Sequence, residues 1–417
     1  MHDDFGTPSA SNGAPNGTGP MLARPSNGQP LRQQIFEKVR AEGQTSRADI
    51  TRALTVSPGS VTALTSDLIA LGLVQQVETQ TREGSRGRPR VGLEVVSDAH
   101  RVIGIKIGDQ AHTAVIADFS GAVLAEASRP ARPGQQTPQA QLEELDVLLS
   151  DLVHASGTPL SAVSAIGVGI AGMVDHASGI VAWSPRISGR DYPLKSTMEQ
   201  RLGCPVHVDN DTNMLTLAEL WFGAGRALPD FVVVTIEHGV GMGLVLGNRL
   251  FRGTRGMGLE LGHTKVQFDG ALCRCGQRGC LEAYVADYAL VREAATVLHG
   301  TETTDPRSLL AQLYAEATGG NAAARAIFDR ASRYLAMGLA NVMQILDPEL
   351  VIISGERMRY DYLYSAEMQA DVEALVLDSG RPAARIETHA WGDMIWARGA
   401  SALALTAITD QLLGEAA

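Results

Sequence analysis

The sequence lacks any run of about 18 uncharged apolar residues, so no membrane-spanning helix is expected. Residues 1–30 lack a basic head followed by an apolar stretch, so no secretory signal is read there and a cytoplasmic protein is expected. Positive charge is in deficit: 35 Lys and Arg stand against 46 Asp and Glu, a formal net charge of −11. That balance argues against a protein coated in nucleic acid, though a small basic patch on an acidic body still acts at short range. Cysteine is scarce, with four in 417 residues. Three of them fall between Cys273 and Cys280, a clustering that reads as metal binding and not as a disulfide framework.

What is present falls into three stretches. Residues 1–30 are rich in Ser, Asn, Gly and Pro without periodicity, and read as a disordered tail. From Leu31 the pattern becomes helical, with Leu31, Ile35 and Val39 on one face and Gly43 as the stop. A second helix follows Thr45 or Ser46. A third starts at Ser57-Pro58, a capping hydroxyl then proline at the first helical position. Val61, Leu64, Leu68 and Leu71 line its expected inner face. Two strands, from Leu73 and from Val91, flank the loop Arg82 to Arg90. Three helices and a hairpin make a winged helix-turn-helix over 31–97. Residues 98–417 alternate strands and helices in two similar halves, an α/β pattern that fits a bilobal domain with a cleft.

The segment from Glu260 to Glu282 carries the sharpest signal. His263 is followed, after nine intervening residues, by Cys273-Arg274-Cys275-Gly276-Gln277-Arg278-Gly279-Cys280. One imidazole and three thiolates form a closed tetrahedral set, the pattern of a structural zinc ion, with Gly276 and Gly279 permitting the tight turns. Four protein ligands leave no open position for chemistry. The ion then holds Glu260, His263 and Glu282 at fixed geometry, where they suit hydrogen bonding to a polyol. Cys204 lies apart and reads as a core residue, as does Trp183.

Glu260-Leu261-Gly262-His263 with the Cys-x-Cys-Gly-x-x-Gly-Cys-x-Glu run resembles the ROK family of repressors and sugar kinases from about Arg101 onward. The resemblance implies an actin-like, ribonuclease H-like fold. It implies a sugar held by Asn210, Asp211, Glu260, His263 and Glu282. In the family's kinases the Asp of the pair is the general base; a helix cap is the structural alternative for Asp211 here. Family kinases also carry Asp-x-Gly-Gly-Thr at the first strand turn. This sequence has Lys106-Ile107-Gly108-Asp109-Gln110 there, and Glu237-His238 in place of the Gly-Thr that opens the second phosphate loop. Asp109 would repel a phosphate and bar close backbone approach, so no kinase activity is expected. Gly239, Gly241 and Gly243 read better as hairpin glycines.

The third helix resembles the recognition helix of the family's repressors. Gly59, Ser60 and Thr62 are its foremost candidates for base edges, and the amides of Gly59 and Ser60 could hold a phosphate. No Lys or Arg occurs from Ala53 to Thr81, so bidentate guanine reading by this helix is not expected. The wing carries the charge, with Arg86, Arg88 and Arg90 suited to a minor groove. Lys38, Arg47 and Arg52 either meet phosphates or solubilise helices. The expectation is a sugar-responsive repressor with zinc, operator DNA and a sugar or sugar derivative as partners, and a homodimer or higher homo-oligomer. The alternative is an ATP-dependent sugar kinase with an appended DNA-binding domain.

Overall fold

The computed structural model describes residues 17–21, 28–78, 91–254, 256–298, 305–355, 365–377, 380 and 384–414. Three helices open the chain, α1 (Leu31–Glu42), α2 (Arg47–Leu54) and α3 (Pro58–Ala70). The antiparallel strands β1 (Val74–Glu78) and β2 (Val91–Val95) follow, in register from Val74↔Val95 to Glu78↔Val91. Ser46 and Ser57 cap α2 and α3, accepting from the amides of Asp49 and Ser60. The inner face of α3 is Val61, Thr65 and Leu68, whereas Leu71 is 54% exposed. Thr65 tolerates burial because its hydroxyl donates to Val61 O at 2.8 Å and accepts from Arg47 Nε at 2.8 Å.

The chain falls into two compact units. One holds these helices and the rest of the chain to residue 229, then 245–257 and the segment from 392. Its elements continue with β3 (Arg101–Ile107), β4 (Ala111–Asp118), β5 (Val123–Pro130), α4 (Pro138–Ser156), β6 (Ala165–Ile170), β7 (Met173–Asp175), β8 (Ile180–Trp183), α5 (Leu194–Leu202), β9 (Val206–Asn210) and α6 (Asp211–Phe222). The sheet order is β5-β4-β3-β6-β9. β3, β4 and β5 run antiparallel, and β3, β6 and β9 parallel. The other unit, residues 230–244 and 258–391, begins at β10 (Phe231–Ile236) and β11 (Val240–Leu246). After β12 (Arg249–Phe251) come α7 (Glu282–Val285), α8 (Asp287–Ala294), α9 (Pro306–Thr318), α10 (Ala322–Leu346), β13 (Leu350–Ser354), α11 (Ala366–Leu375) and β14 (Arg385–His389). Here β11, β10, β13 and β14 lie side by side, the last three parallel.

The last helix, α12 (Ile395–Leu413), packs on β3, β6 and α6. Glycines make that close packing possible. A Cβ at Gly104 would fall 2.0 Å from Ala397 O, one at Gly167 1.9 Å from Ala400 O, and one at Gly399 1.8 Å from Met214 O.

The far end of α12 receives the N-terminal helices. Gln33 Nε2 donates to Asp410 Oδ1 at 2.6 Å, and Arg40 Nη1 to Thr409 Oγ1 at 3.0 Å. The Arg40 guanidinium lies over Trp221 of α6, 4.3 Å from a ring centroid. Burial pulls its pKa down to about 10. The sequence expectation of a disordered 1–30 does not hold for residues 17–21. Thr18 N bonds Arg40 O, Gly19 N bonds Trp221 O, and Met21 N bonds Arg226 O. Arg226 donates to Gly19 O and Ala41 O, so this short stretch of chain is stitched to both α1 and α6. Backbone pairing of this kind needs no apolar periodicity, so composition gave no sign of it.

A methyl group at the α6–α12 crossing would overpack it. Gly399→Ala should cost about 1–3 kcal/mol, read as a lower urea midpoint of the full chain; an unchanged midpoint contradicts the close-approach account.

Candidate metal centre and effector site

In the second unit the segment from Gly262 folds into a knuckle. Cys273 N donates to Gln277 O at 2.8 Å, and Gly276 N to Cys273 O at 3.0 Å. Gly276 has φ 86°, the left-handed region that favours glycine. A Cβ at Gly279 would lie 1.8 Å from Gln267 O. Lys265 bridges to Cys280 and Leu272 to Arg278, closing the turn on both sides. The ligand atoms of His263, Cys273, Cys275 and Cys280 then all lie within 4.8 Å of one another. Cys273 Sγ is 3.7 Å from His263 Nδ1, and Cys275 Sγ is 3.8 Å from Cys280 Sγ. Tetrahedral coordination with bonds of about 2.3 Å to sulfur and about 2.0 Å to nitrogen puts ligands about 3.5–3.8 Å apart. These two separations match that spacing, and all four ligand atoms lie close enough together to hold a metal ion. Burial pushes the Cys273 thiol up, the opposing help coming from the Tyr288 hydroxyl at 3.4 Å. A cation among the sulfurs is what would favour their thiolate forms.

The knuckle is anchored to its unit's core. Leu281, buried beside Cys280, meets α10 where Gly338 has no side chain; a Cβ there would be 2.6 Å from Leu281 Cδ2. Tyr284 stacks on Tyr334 of α10 and accepts a hydrogen bond from Ala271 N. Glu282, first residue of α7, follows directly. Its Oε1 accepts from Tyr288 at 3.4 Å, and its Oε2 is 3.4 Å from Val240 N. Gly239 leaves room for that carboxylate, since a Cβ would stand 2.8 Å from Oε2. Glu260 precedes the short helix Leu261–His263. Burial raises its carboxyl pKa, Glu282 adds to the rise, and His263 opposes it.

In the first unit, Asn210 and Asp211 sit where β9 passes into α6. Asn210 is the cap: its Oδ1 accepts from Asn213 N at 3.0 Å, and its Nδ2 donates to Gly172 O at 3.4 Å. Asp211 is the first helical residue, and its Oδ1 accepts from Thr212 N at 3.0 Å. The capping role that the sequence left open for Asp211 thus belongs to Asn210. Burial raises the Asp211 carboxyl pKa, with Lys106 pulling it back. Asp209, passed over in the sequence, supports the pair from below. It is 1% exposed, accepts from Arg252 Nε at 2.6 Å and Asn213 Nδ2 at 2.7 Å, and receives the amide of Asn210. Its signal was the Asp-Asn-Asp run itself, but its partner Arg252 lies too far along the chain to be read.

Several other expectations meet the structure here. Trp183 is 41% exposed, not core, because it ends the edge strand β8. His112 is fully buried between Glu144 and Gln141 and is structural. Gly59 and Thr62 are exposed on α3 and Ser60 is partly so. The Ser60 amide, however, is taken by the Ser57 hydroxyl at 3.1 Å and is not free for a phosphate. Lys38 is 8% exposed and pairs with Glu42, so it braces α1 and does not face solvent. Arg86, Arg88 and Arg90 lie outside the described residues. No helix among the described residues is long and apolar enough to cross a membrane.

The ROK family model matches residues 102–407, and the chain belongs to the ROK family. It is 28% identical over 332 residues to the xylose repressor of Caldicellulosiruptor bescii, covering 78% of this chain and 82% of that one. It is 27% identical over 350 residues to the DNA-binding transcriptional dual regulator NagC of Escherichia coli, covering 83% and 85%. Among solved structures, a ROK family transcriptional regulator homologous to Escherichia coli Mlc matches with TM-score 0.75 and 24% identity, over 92% of this chain and 96% of that one. A ROK family glucokinase from Streptomyces griseus, in complex with glucose and AMPPNP, matches with TM-score 0.61 and 30% identity, over 73% and 99%. The fold is thus α/β, with actin-like ROK sheets behind an N-terminal helical head.

The cluster should carry one metal ion per chain by elemental analysis, and Cys275→Ser and Cys280→Ser should each abolish stoichiometric retention. A wild-type chain that neither retains nor takes up a metal ion would contradict the assignment.

Proposed function

We propose that this protein is a sugar-responsive DNA-binding transcription regulator acting as a repressor. The observation that carries the reading is similarity over 78% and 83% of the chain to proteins named as a xylose repressor and a DNA-binding transcriptional dual regulator, with the fold of a ROK transcriptional regulator matched over 92%. The glucokinase, by contrast, is matched over 99% of its own length yet accounts for 73% of this chain. The N-terminal helices and hairpin fit a winged helix-turn-helix. In such a head Gly59, Ser60 and Thr62 would meet the major groove, and Arg86, Arg88 and Arg90 the minor groove. A homodimer in the cytoplasm would present two such heads to a palindromic operator.

Each unit brings its own polyol-facing groups. Asn210 and Asp211 open α6 in one; Glu260, His263 and Glu282 surround the knuckle in the other. The metal is zinc, which suits three thiolates and an imidazole in a closed set, and its role is to hold those groups in place. The same α6 that begins with Asp211 ends beside Trp221, under Arg40 of the head. Twelve helical residues span about 18 Å. A shift at the sugar end of this rigid helix reaches the head without passing through a loop.

Catalysis is set aside on one local feature. Where family kinases carry the Asp of their first phosphate loop, Lys106 stands with its ammonium 3.6 Å from a Trp396 ring centroid. A coupled ADP-release assay with hexoses and pentoses should show no turnover above the no-sugar control. Turnover that disappears in Asp211→Ala would overturn the non-enzyme reading. Replacing Arg86 and Arg88 with Ala should weaken operator binding and reduce the slope of log K against log salt by about 0.9 for each phosphate no longer neutralised. An unchanged slope would remove the wing from the DNA interface.

A further inference from the structure

The two buried sulfurs of the metal cluster each meet a donor from outside the ligand set. Cys273 and Cys280 are buried, whereas Cys275 is exposed. Water can solvate the sulfur of Cys275 but not those of the other two. A thiolate shut away from water needs hydrogen bonds from the protein, as any buried charge does. Cys273 Sγ accepts one from the Tyr288 hydroxyl at 3.4 Å, and the Arg274 guanidinium lies 4.1 Å from the Tyr288 ring centroid and steadies that ring. Cys280 Sγ accepts one from Lys265 Nζ at 3.0 Å.

Local structure puts the Lys265 ammonium there. Lys265 and Cys280 face each other in an isolated antiparallel bridge, so their side chains leave the backbone on the same side. The ammonium also donates to His263 O at 3.0 Å. One side chain thus joins the two ends of the motif: the residue that carries the imidazole and the last of the three cysteines. Lys265 is itself exposed, so it can reach the buried sulfur without being buried. Charge favours the same arrangement. Three thiolates around a doubly charged zinc ion leave one net negative charge, and one ammonium cancels it.

We propose that Lys265 is a positioning residue of the metal centre, which holds Cys280 and the His263 segment by two hydrogen bonds and balances the charge of the loaded cluster. This rests on the zinc reading above and extends it past the four ligands to a residue that sets how tightly the ion is held. Hydrogen-bonding partners of metal ligands typically govern metal affinity by about 10–100-fold.

Zinc competition against a chromogenic chelator, on the full-length chain, tests it. Lys265→Met keeps the apolar stem, removes the ammonium, and should weaken zinc binding about 10–100-fold. Lys265→Arg keeps a charged donor and should hold zinc more tightly than Lys265→Met does. Cobalt(II) in place of zinc gives a second readout, one that a merely structural role leaves unmoved. Losing an N–H donor raises the energy of the sulfur lone pair. The thiolate-to-metal charge-transfer band of Lys265→Met should therefore lie at longer wavelength than that of the wild type. Zinc held as tightly by Lys265→Met as by the wild type, an Arg variant as weak as the Met variant, or an unmoved cobalt band would overturn the proposal and leave the metal centre standing. A wild-type chain that takes up neither ion would overturn the metal centre and the proposal together.

Discussion

Close backbone approach of α12 to β3, β6 and α6 is the constraint on which the first unit depends. Three glycines, Gly104, Gly167 and Gly399, remove the side chains that would hold these elements apart. The helix then lies low enough to run from Trp396 over Lys106 to Thr409 and Asp410 under α1. Packing this tight is not continuously deformable, so displacement at one end is passed on rather than absorbed. The head is held by polar groups where an oily interface might be expected. Gln33, Glu37 and Arg40 of α1 are all buried, and Glu37 is met by Gln33 at 2.9 Å. Burial raises the Glu37 carboxyl pKa, with Arg40 opposing. Polar junctions of this kind are specific when satisfied and costly when disturbed.

The second unit solves a different problem. A loop with little apolar content must present Glu260, His263 and Glu282 in fixed positions. Four ligand atoms drawn to one point do this, backed by Leu281 against Gly338 and by the Tyr284–Tyr334 stack. The carboxylate of Glu282 is placed by Tyr288 and by the space Gly239 leaves. The metal-ligand cluster and the carboxylates of Glu260 and Glu282 are therefore one piece of local structure, built from neighbouring residues.

Much of this was legible before any coordinates. The Cys and His spacing is local, and so are the serine caps and the proline of α3, so short-range rules reach them. The alternation of strands and helices over 98–417 was readable from apolar pattern alone. What stayed hidden depends on partners distant in the chain. Arg252 completes Asp209, Trp396 receives Lys106, and Trp221 receives Arg40, each across a separation no motif records. The β7–β8 hairpin, α5, α11 and β14 were also not read, being short or weakly periodic. Trp183 misled because a large aromatic is usually core, and here it closes an edge strand. Gly17–Met21 misled because polar, proline-containing composition resembles disorder even where the backbone is paired.

The central claim is that one chain couples a sugar to operator DNA, and linkage gives it a strict form. Operator affinity should be measured by fluorescence anisotropy with and without saturating effector, and effector affinity by calorimetry with and without operator. The account predicts that each ligand weakens the other by the same factor. A sugar that binds tightly yet leaves operator affinity unchanged would contradict it.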